Sequence, residues 1–394
     1  MSALRPAALA GVLVLATGCD ALFETEVEIP RVYASVSAGG DHTCALGLDG
    51  AAFCWGRGEN GELGDRRNRD SAVPVAVVGG YRYDVLSAGE HHVCALTRDG
   101  VLHCWGWNRY GQLGTGNTVG LGEPTGVAGD LRFSDVSAGA FHTCALTLEG
   151  EAYCWGENGN GQLGNGTVNG ATAPVPVAGG HRFVAISSGR EHTCALTEDG
   201  AAYCWGLNHL GQLGDGSLDN AWEPRPVAGG IAFAAIAAGD VHTCGIARNG
   251  AAYCWGSNGY GEAGNARIEL PREPGPTVPT RVYGGDTVVG IAAGPHVTCA
   301  VTEAGVGLCW GRGTYGQIGN GQAVNVATPQ PVVDTPSELA PHRLRFTSID
   351  VGGGHACGLS TRGEIFCWGS GDFGQLGNPE YNLTTAPVRI AAGE

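Results

Sequence analysis

Residues 187–214 read SSGREHTCALTEDGAAYCWGLNHLGQLG, and this stretch sets the architecture of the chain. HTCAL and AAYCW are β-prone runs, and Asp199-Gly200 between them is a hairpin turn whose glycine supplies a positive φ. The segment after Trp205-Gly206 is turn-rich. The pattern recurs seven times, with the first cysteine of each copy at Cys44, Cys94, Cys144, Cys194, Cys244, Cys299 and Cys357. The spacings are 50, 50, 50, 50, 55 and 58 residues, the last two carrying insertions near Ala266–Tyr283 and Gln322–His342. Strand-turn-strand content at that period describes blades or an array, not separate domains. No sustained 3.6-residue period with caps is visible, so helices are expected to be few.

The two ends of the chain look complementary. After each Gly-Gln-Leu-Gly comes a segment such as Pro174-Val175-Pro176-Val177, then one such as Arg182-Phe183-Val184-Ala185-Ile186. The chain begins on the second kind, Arg31-Val32-Tyr33-Ala34-Ser35-Val36, and ends on the first, Pro387-Val388-Arg389-Ile390. The expectation is an all-β, seven-bladed propeller over residues 31–394, closed by pairing of the N- and C-terminal strands. Such closure hides the sheet edges that an open array exposes.

Fourteen of the 15 cysteines form seven pairs with nine residues between partners. With Leu48-Asp49-Gly50 as a three-residue loop, Gly47 faces Ala51 and Cys44 faces Cys54 at a narrow, non-hydrogen-bonded site. Cross-strand disulfides are expected at Cys44–Cys54, Cys94–Cys104, Cys144–Cys154, Cys194–Cys204, Cys244–Cys254, Cys299–Cys309 and Cys357–Cys367. Reduced, buried cysteines acting as small hydrophobes are the alternative. Zinc is not expected, because the spacing lacks a metal knuckle.

The remaining cysteine, Cys19, ends MSALRPAALAGVLVLATGC. One arginine, a short apolar run and small residues before a cysteine make a lipoprotein-type signal over residues 1–18. The run is too short to span a bilayer. Cys19 is the expected lipidation site, and residues 19–30 read as a short acidic tether. This places the protein at an exported, lipid-anchored position in a bacterial cell envelope; plain secretion is the alternative.

Composition narrows the function. The 394 residues include 69 glycines and 43% hydrophobic residues, too apolar for a disordered chain and without collagen's period. The formal charge is −16, and all 22 basic residues are arginine, which argues against a nucleic-acid partner. Four G-x-G-x-x-G matches, at 56–61, 159–164, 311–316 and 369–374, lie in the repeated turns with no helix after them and are turn glycines. A histidine recurs two residues before the first cysteine (His42, His92, His142, His192, His242, His355), with Val297 in the sixth copy and His296 one step earlier. Residues repeating with the blade read as structural, and the repeated Trp55, Trp105, Trp155, Trp205, Trp255, Trp310 and Trp368 read as inter-blade packing. No catalytic set, metal site or cofactor site emerges. Residues that differ between copies decorate the blades, and Trp107, Arg109, Tyr110, Phe141, Tyr260, Tyr315 and Phe373 are of the types that anchor interfaces.

The repeated SSG…HTCAL…DG…YCWG…GQLG pattern resembles the regulator of chromosome condensation repeat family over about residues 31–394. The resemblance implies a seven-bladed propeller closed through its termini that binds proteins by loops on one face. The family's nuclear member exchanges guanine nucleotide on a small GTPase and docks on chromatin; secreted bacterial forms inhibit β-lactamases. The expected function is therefore a non-enzymatic, monomeric propeller that binds a partner protein or envelope polymer and meets the membrane only through its lipid. Inhibition of a secreted enzyme and nucleotide exchange are the alternatives.

Overall fold

The computed structural model describes residues 32–270, 272–333 and 344–391, which form 28 strands in seven four-stranded antiparallel sheets. Blades 1 to 7 span residues 33–76, 83–126, 133–176, 185–226, 233–281, 288–331 and 346–389. No helix occurs among the described residues. Residues 1–31, with Cys19 and the expected signal and tether, lie outside the described residues.

The seven-bladed propeller is as expected, but its closure is not. Strand order within every sheet is sequential. The first strand, Tyr33–Ala38, pairs inside blade 1 with His42–Gly47, and the last, Thr384–Arg389, pairs inside blade 7 with Ile365–Gly369. The N- and C-terminal strands therefore share no sheet. Tyr33 begins a whole blade, not the second half of one, so each terminal strand already has its partner. The ring closes by packing blade 7 flat against blade 1.

Blade 4 shows how the repeat folds. His192–Leu196 and Ala202–Gly206 pair with Cys194 opposite Cys204, the register that a three-residue turn dictates. All seven cysteine pairs are disulfide-bonded, with Cα atoms 4.1 Å apart. The first strand, Ala185–Ser188, lines the central channel, and Ala221–Pro226 is outermost. Between blades lie the seven tryptophans, all 0–1% exposed.

Each seam between neighbouring blades is stitched in the same way. In the seam between blades 3 and 4, the main-chain carbonyl of Gln162 accepts hydrogen bonds from Trp205 Nε1 (2.9 Å) and Thr193 Oγ1 (3.0 Å) of the next blade. Thr193 Oγ1 lies 2.8 Å from His142 Nε2. The hydroxyl proton is committed to the carbonyl, so His142 carries its hydrogen on Nε2 and donates it to the hydroxyl. Gly164 allows the indole in: a Cβ there would lie 2.7 Å from Trp205 Nε1. At the channel, Gly189 C=O accepts from Ala140 N–H of the blade before, and a Cβ on Gly189 would lie 2.1 Å from Gly239 O of the blade after.

The indole–carbonyl bond is present in all seven seams at 2.8–3.0 Å. The His–Thr bond is present in five, at 2.7–2.9 Å. Between blades 6 and 7 both partners are replaced, by Val297 and Ala356, which pack in an apolar cluster with Trp368 and Phe346. Pro295 also has no N–H to make the channel bond that Asp240 gives Gly294 one blade earlier. Between blades 1 and 2 only the threonine is replaced, by Val93. His42 Nε2 is buried there without a partner and lies beside Gly39, where the other copies bring Nδ1.

Removing one partner of a buried pair costs more than removing both. Val93→Thr is therefore expected to stabilise the protein by about 1 kcal/mol, seen as a higher urea midpoint at unchanged m-value. Val297→His without Ala356→Thr is expected to lower the midpoint, and adding Ala356→Thr to recover it. Intact-mass measurement of the purified chain is expected to show two hydrogens missing for each of the seven disulfides, with all fourteen bridge thiols unreactive before reduction.

Candidate functional site: one loop face of the ring

In a four-stranded antiparallel blade, the first–second and third–fourth connections emerge at the same end. Here that end gathers the loops that differ most between copies. The inner loops, Gly39-Gly40-Asp41 and its six counterparts, surround the mouth of the channel, a cavity of about 350 Å³. The outer loops run from the Trp-Gly of the third strand to the fourth strand.

The structure sorts six of the seven interface-type residues into three clusters on this face. Trp107, Tyr110 and Phe141 form an edge-to-face triangle with centroid distances of 5.5, 5.6 and 5.9 Å. His91 adds its ring to Trp107 at 5.7 Å, and the Arg190 guanidinium lies over Phe141 at 5.3 Å. Tyr260 and Tyr315 share Arg312, at 5.4 and 4.9 Å, and Tyr260 also meets His296 at 4.9 Å. Phe373 lies under Arg57 at 5.1 Å. Arg109 is exposed and joins none of the three clusters. Tyr110 and Tyr315 remain 42% and 43% exposed, so each cluster is partly packed between blades and partly offered to solvent.

Two features of this face were not assigned from sequence. Val119, Val168, Leu218, Ile268, Val324 and Leu383 are 43–62% exposed, one in the outer loop of each of six blades. Blade 1 carries Arg66, Arg67 and Arg69 there instead, and Arg66 takes a left-handed φ of 65° where the next three copies have glycine. The signal was a lone aliphatic recurring among Gly, Asn, Asp and Glu. The second feature is charge at the mouth. Arg190 reaches Glu90 of blade 2 at 3.3 Å and Asp240 of blade 5 at 3.4 Å. Burial pushes the Asp240 carboxyl up to about 6, against the pull of Arg190. Burial opposes the Arg190 charge, but its two carboxylates outweigh that and raise it.

The repeated histidines serve structure, as expected. Burial lowers His92, His142, His192 and His355 to about 3. Their neighbouring threonines look like nucleophiles beside a base, but each such imidazole donates to the hydroxyl and cannot take its proton. His296, displaced onto the face, instead pairs with the buried Glu262 at 2.8 Å. Burial raises the Glu262 carboxyl, but the His296 bond, the His242 charge and two backbone N–H bonds together hold it below its ordinary value. Among the described residues, no group of three or more His, Cys, Asp or Glu is placed to hold a metal ion.

The fold and its stitched seams define a seven-bladed propeller with one variable loop face. The RCC1-like domain family matches residues 18–274 and 123–393, and the chain belongs to that family. It is 30% identical over 106 residues to the Homo sapiens E3 ubiquitin-protein ligase HERC2, covering 27% of this chain and 2% of that one. It is likewise 30% identical over 105 residues to the Arabidopsis thaliana mitochondrial RCC1 domain-containing protein RUG3, covering 27% of this chain and 22% of that one. Human WBSCR16 superposes with a TM-score of 0.76 at 22% identity, covering 86% of this chain and 94% of that chain. Yeast RCC1 (Prp20), in its complex with Kap60, superposes with a TM-score of 0.75 at 22% identity, covering 96% and 91%. These two likenesses are of fold.

The buried histidines give the stability a pH dependence. Six of them (His42, His92, His142, His192, His242, His355) are held at about 3 to 4 when folded, against 6.5 as the ordinary value. The unfolded chain binds more protons between those values, so stability is full above about pH 6.5 and falls as pH drops toward 4, by about 1.4 kcal/mol per pH unit per histidine. Asp135 and Asp240, both raised to about 6, take up protons in the same window and offset part of this. The melting temperature is expected to fall from pH 6.5 to 4, and His192→Asn to flatten that slope by one proton's worth while lowering stability at pH 7.

Proposed function

We propose that this protein is a non-enzymatic propeller, lipid-anchored through Cys19 in a bacterial cell envelope, that binds a partner protein through its loop face. One observation carries the binding reading: the residues shared by all seven copies are buried in the seams, while the residues that differ converge on one end of the ring. That end combines aromatic clusters, six exposed aliphatic side chains and a charged mouth. Aromatic and arginine anchors within a wider apolar surface are the composition of protein interfaces. The name of the yeast RCC1–Kap60 complex records a protein partner for a propeller of this fold. The seven disulfides fit an oxidising compartment, and the ATGC ending supports the anchor.

Cross-linking in the native envelope followed by affinity capture tests the reading. The wild-type chain is expected to recover a defined partner, and the triple variant Trp107→Ala, Tyr110→Ala, Tyr260→Ala to recover at least tenfold less of it. Equal recovery by both removes this face as the binding surface. A chain purified from the membrane fraction without a lipid mass on Cys19 removes the anchor.

A further inference from the structure

The mouth of the channel is uneven in a way that the seven-fold frame does not require. Counting the residue after the inner glycine, blades 1 and 2 offer Gly40-Asp41 and Glu90-His91, and blades 4 and 5 offer Arg190 and Asp240. Blades 3, 6 and 7 offer Ala140, Pro295 and Gly353. Charge is thus gathered on one side of the cavity. Blades 6 and 7 line the rest with Gly294, Pro295, Gly352 and Gly353, which place almost no side chain in the space.

Within the lining there are three carboxylates, Asp41, Glu90 and Asp240, and one arginine, Arg190. Arg190 is committed to Glu90 and Asp240. Asp41 takes its contact from Arg57 at 3.5 Å, and that guanidinium is shared with Glu59 at 3.3 Å. The carboxylates at the mouth therefore outnumber the cations available to them. Their side chains are only 23–32% exposed, and a half-buried charge is screened less than one on an open surface. The bare glycine side leaves room for a long side chain to enter beside them. Farther out on the same face, the aromatic clusters and the six exposed aliphatics of the outer loops offer apolar contacts to the residues that flank such a side chain.

We infer that the partner of this face is a protein that inserts an arginine or lysine, flanked by apolar residues, into the channel mouth. The inference rests on the protein-binding reading and adds the chemistry of what is bound. A basic side chain entering beside Gly353 meets the Asp41 and Glu90 side of the mouth and relieves the carboxylate excess that Arg190 leaves. Asp240, raised toward neutrality by burial and acted on by Arg190, Glu90 and His296, makes the attraction pH-dependent. Below about pH 6 the mouth loses negative charge and the fit weakens.

Selection of a displayed random peptide library on the full, disulfide-bonded chain tests both layers. The expected result is a set of peptides with a shared Arg or Lys between apolar positions. Their affinity should fall at least tenfold on replacing that residue by citrulline or norleucine, and should weaken on lowering the pH from 7 to 5.5. Asp41→Asn and the pair Glu90→Gln, Asp240→Asn should each weaken binding, with Asp41→Asn serving if the pair fails to fold. Peptides that lose affinity on Trp107→Ala and Tyr110→Ala but show no basic preference would leave the face as a binding site and overturn the inference. Two results would overturn the inference together with the protein-binding reading: no selected peptide on this face, with binding of neutral phosphatidylcholine vesicles that Leu218→Ser and Ile268→Ser abolish, or a stable dimer of the chain abolished by the same substitutions.

Discussion

Everything in this ring depends on one main-chain carbonyl per blade. In Gly-Gln-Leu-Gly, the carbonyl of the second residue faces the neighbouring blade, where an indole N–H always reaches it. A carbonyl has two lone pairs, and in five seams a threonine hydroxyl takes the second, itself held by a histidine from the first blade. The chain of donors runs His to Thr to carbonyl, with Trp arriving from the same side as Thr. From Nε2 onward every group in it has its partner, while Nδ1 of each of the five histidines is buried without one. An orphaned buried member carries its full desolvation cost, so losing the threonine alone costs a seam more than losing the pair.

The distribution of complete and incomplete stitches follows the connectivity. Six seams join blades that the chain already links; the seam between blades 7 and 1 does not. Bringing together the ends of a loop of about 350 residues costs about 5 kcal/mol in entropy, and no strand is exchanged there to offset it. That seam holds the full set: Thr43 with His355 and Gln375, Trp55 with Gln375, and Gly353 N–H on the channel side. There Ala38 N–H bonds the Asp350 carboxylate, where four other seams use a serine hydroxyl at the same place. The seam between blades 6 and 7, where the chain runs on from one blade to the next, is the one that gives up the His–Thr pair and the channel bond. Flat packing with a complete stitch thus does the work that strand exchange was expected to do.

What was legible in the sequence was what is local. Cys44 faces Cys54 because a three-residue turn fixes register, and the turn is written in Leu48-Asp49-Gly50. The closure was misread because a string of repeats looks the same wherever the unit is cut; only hydrogen-bonded edges show that Tyr33 begins a blade. The histidine was read as structural, but its partner lies one copy further on, 51 residues away for His142 and Thr193. The pairing had left a trace: Val297, without a histidine, is followed in the next copy by Ala356, without a threonine. The exposed aliphatics escaped notice because a lone valine in a Gly/Asn loop has no periodic neighbour to mark it, and only the fold aligns the loops on one face. Residues 1–31, with the expected signal, Cys19 and the tether, lie outside the described residues.

A frame with seven equal seams presents the same backbone seven times, and an unsymmetrical partner cannot read sameness. Recognition has to come from the positions that break the repeat. On this face those positions are few and paired across blades: Tyr110 with Phe141, Tyr260 with His296, and Arg190 with Glu90 and Asp240. Each joins side chains from two different copies, so a change in one blade alters what its neighbour offers. The burial of the shared residues makes this variation tolerable, because the stitch uses only the buried Gly-Gln-Leu-Gly carbonyl of each outer loop and none of the side chains that vary there. The same separation explains why likeness to other propellers of the family speaks for the ring and is silent about the partner: identity resides in the seams, and choice of partner in the residues that the seams leave free.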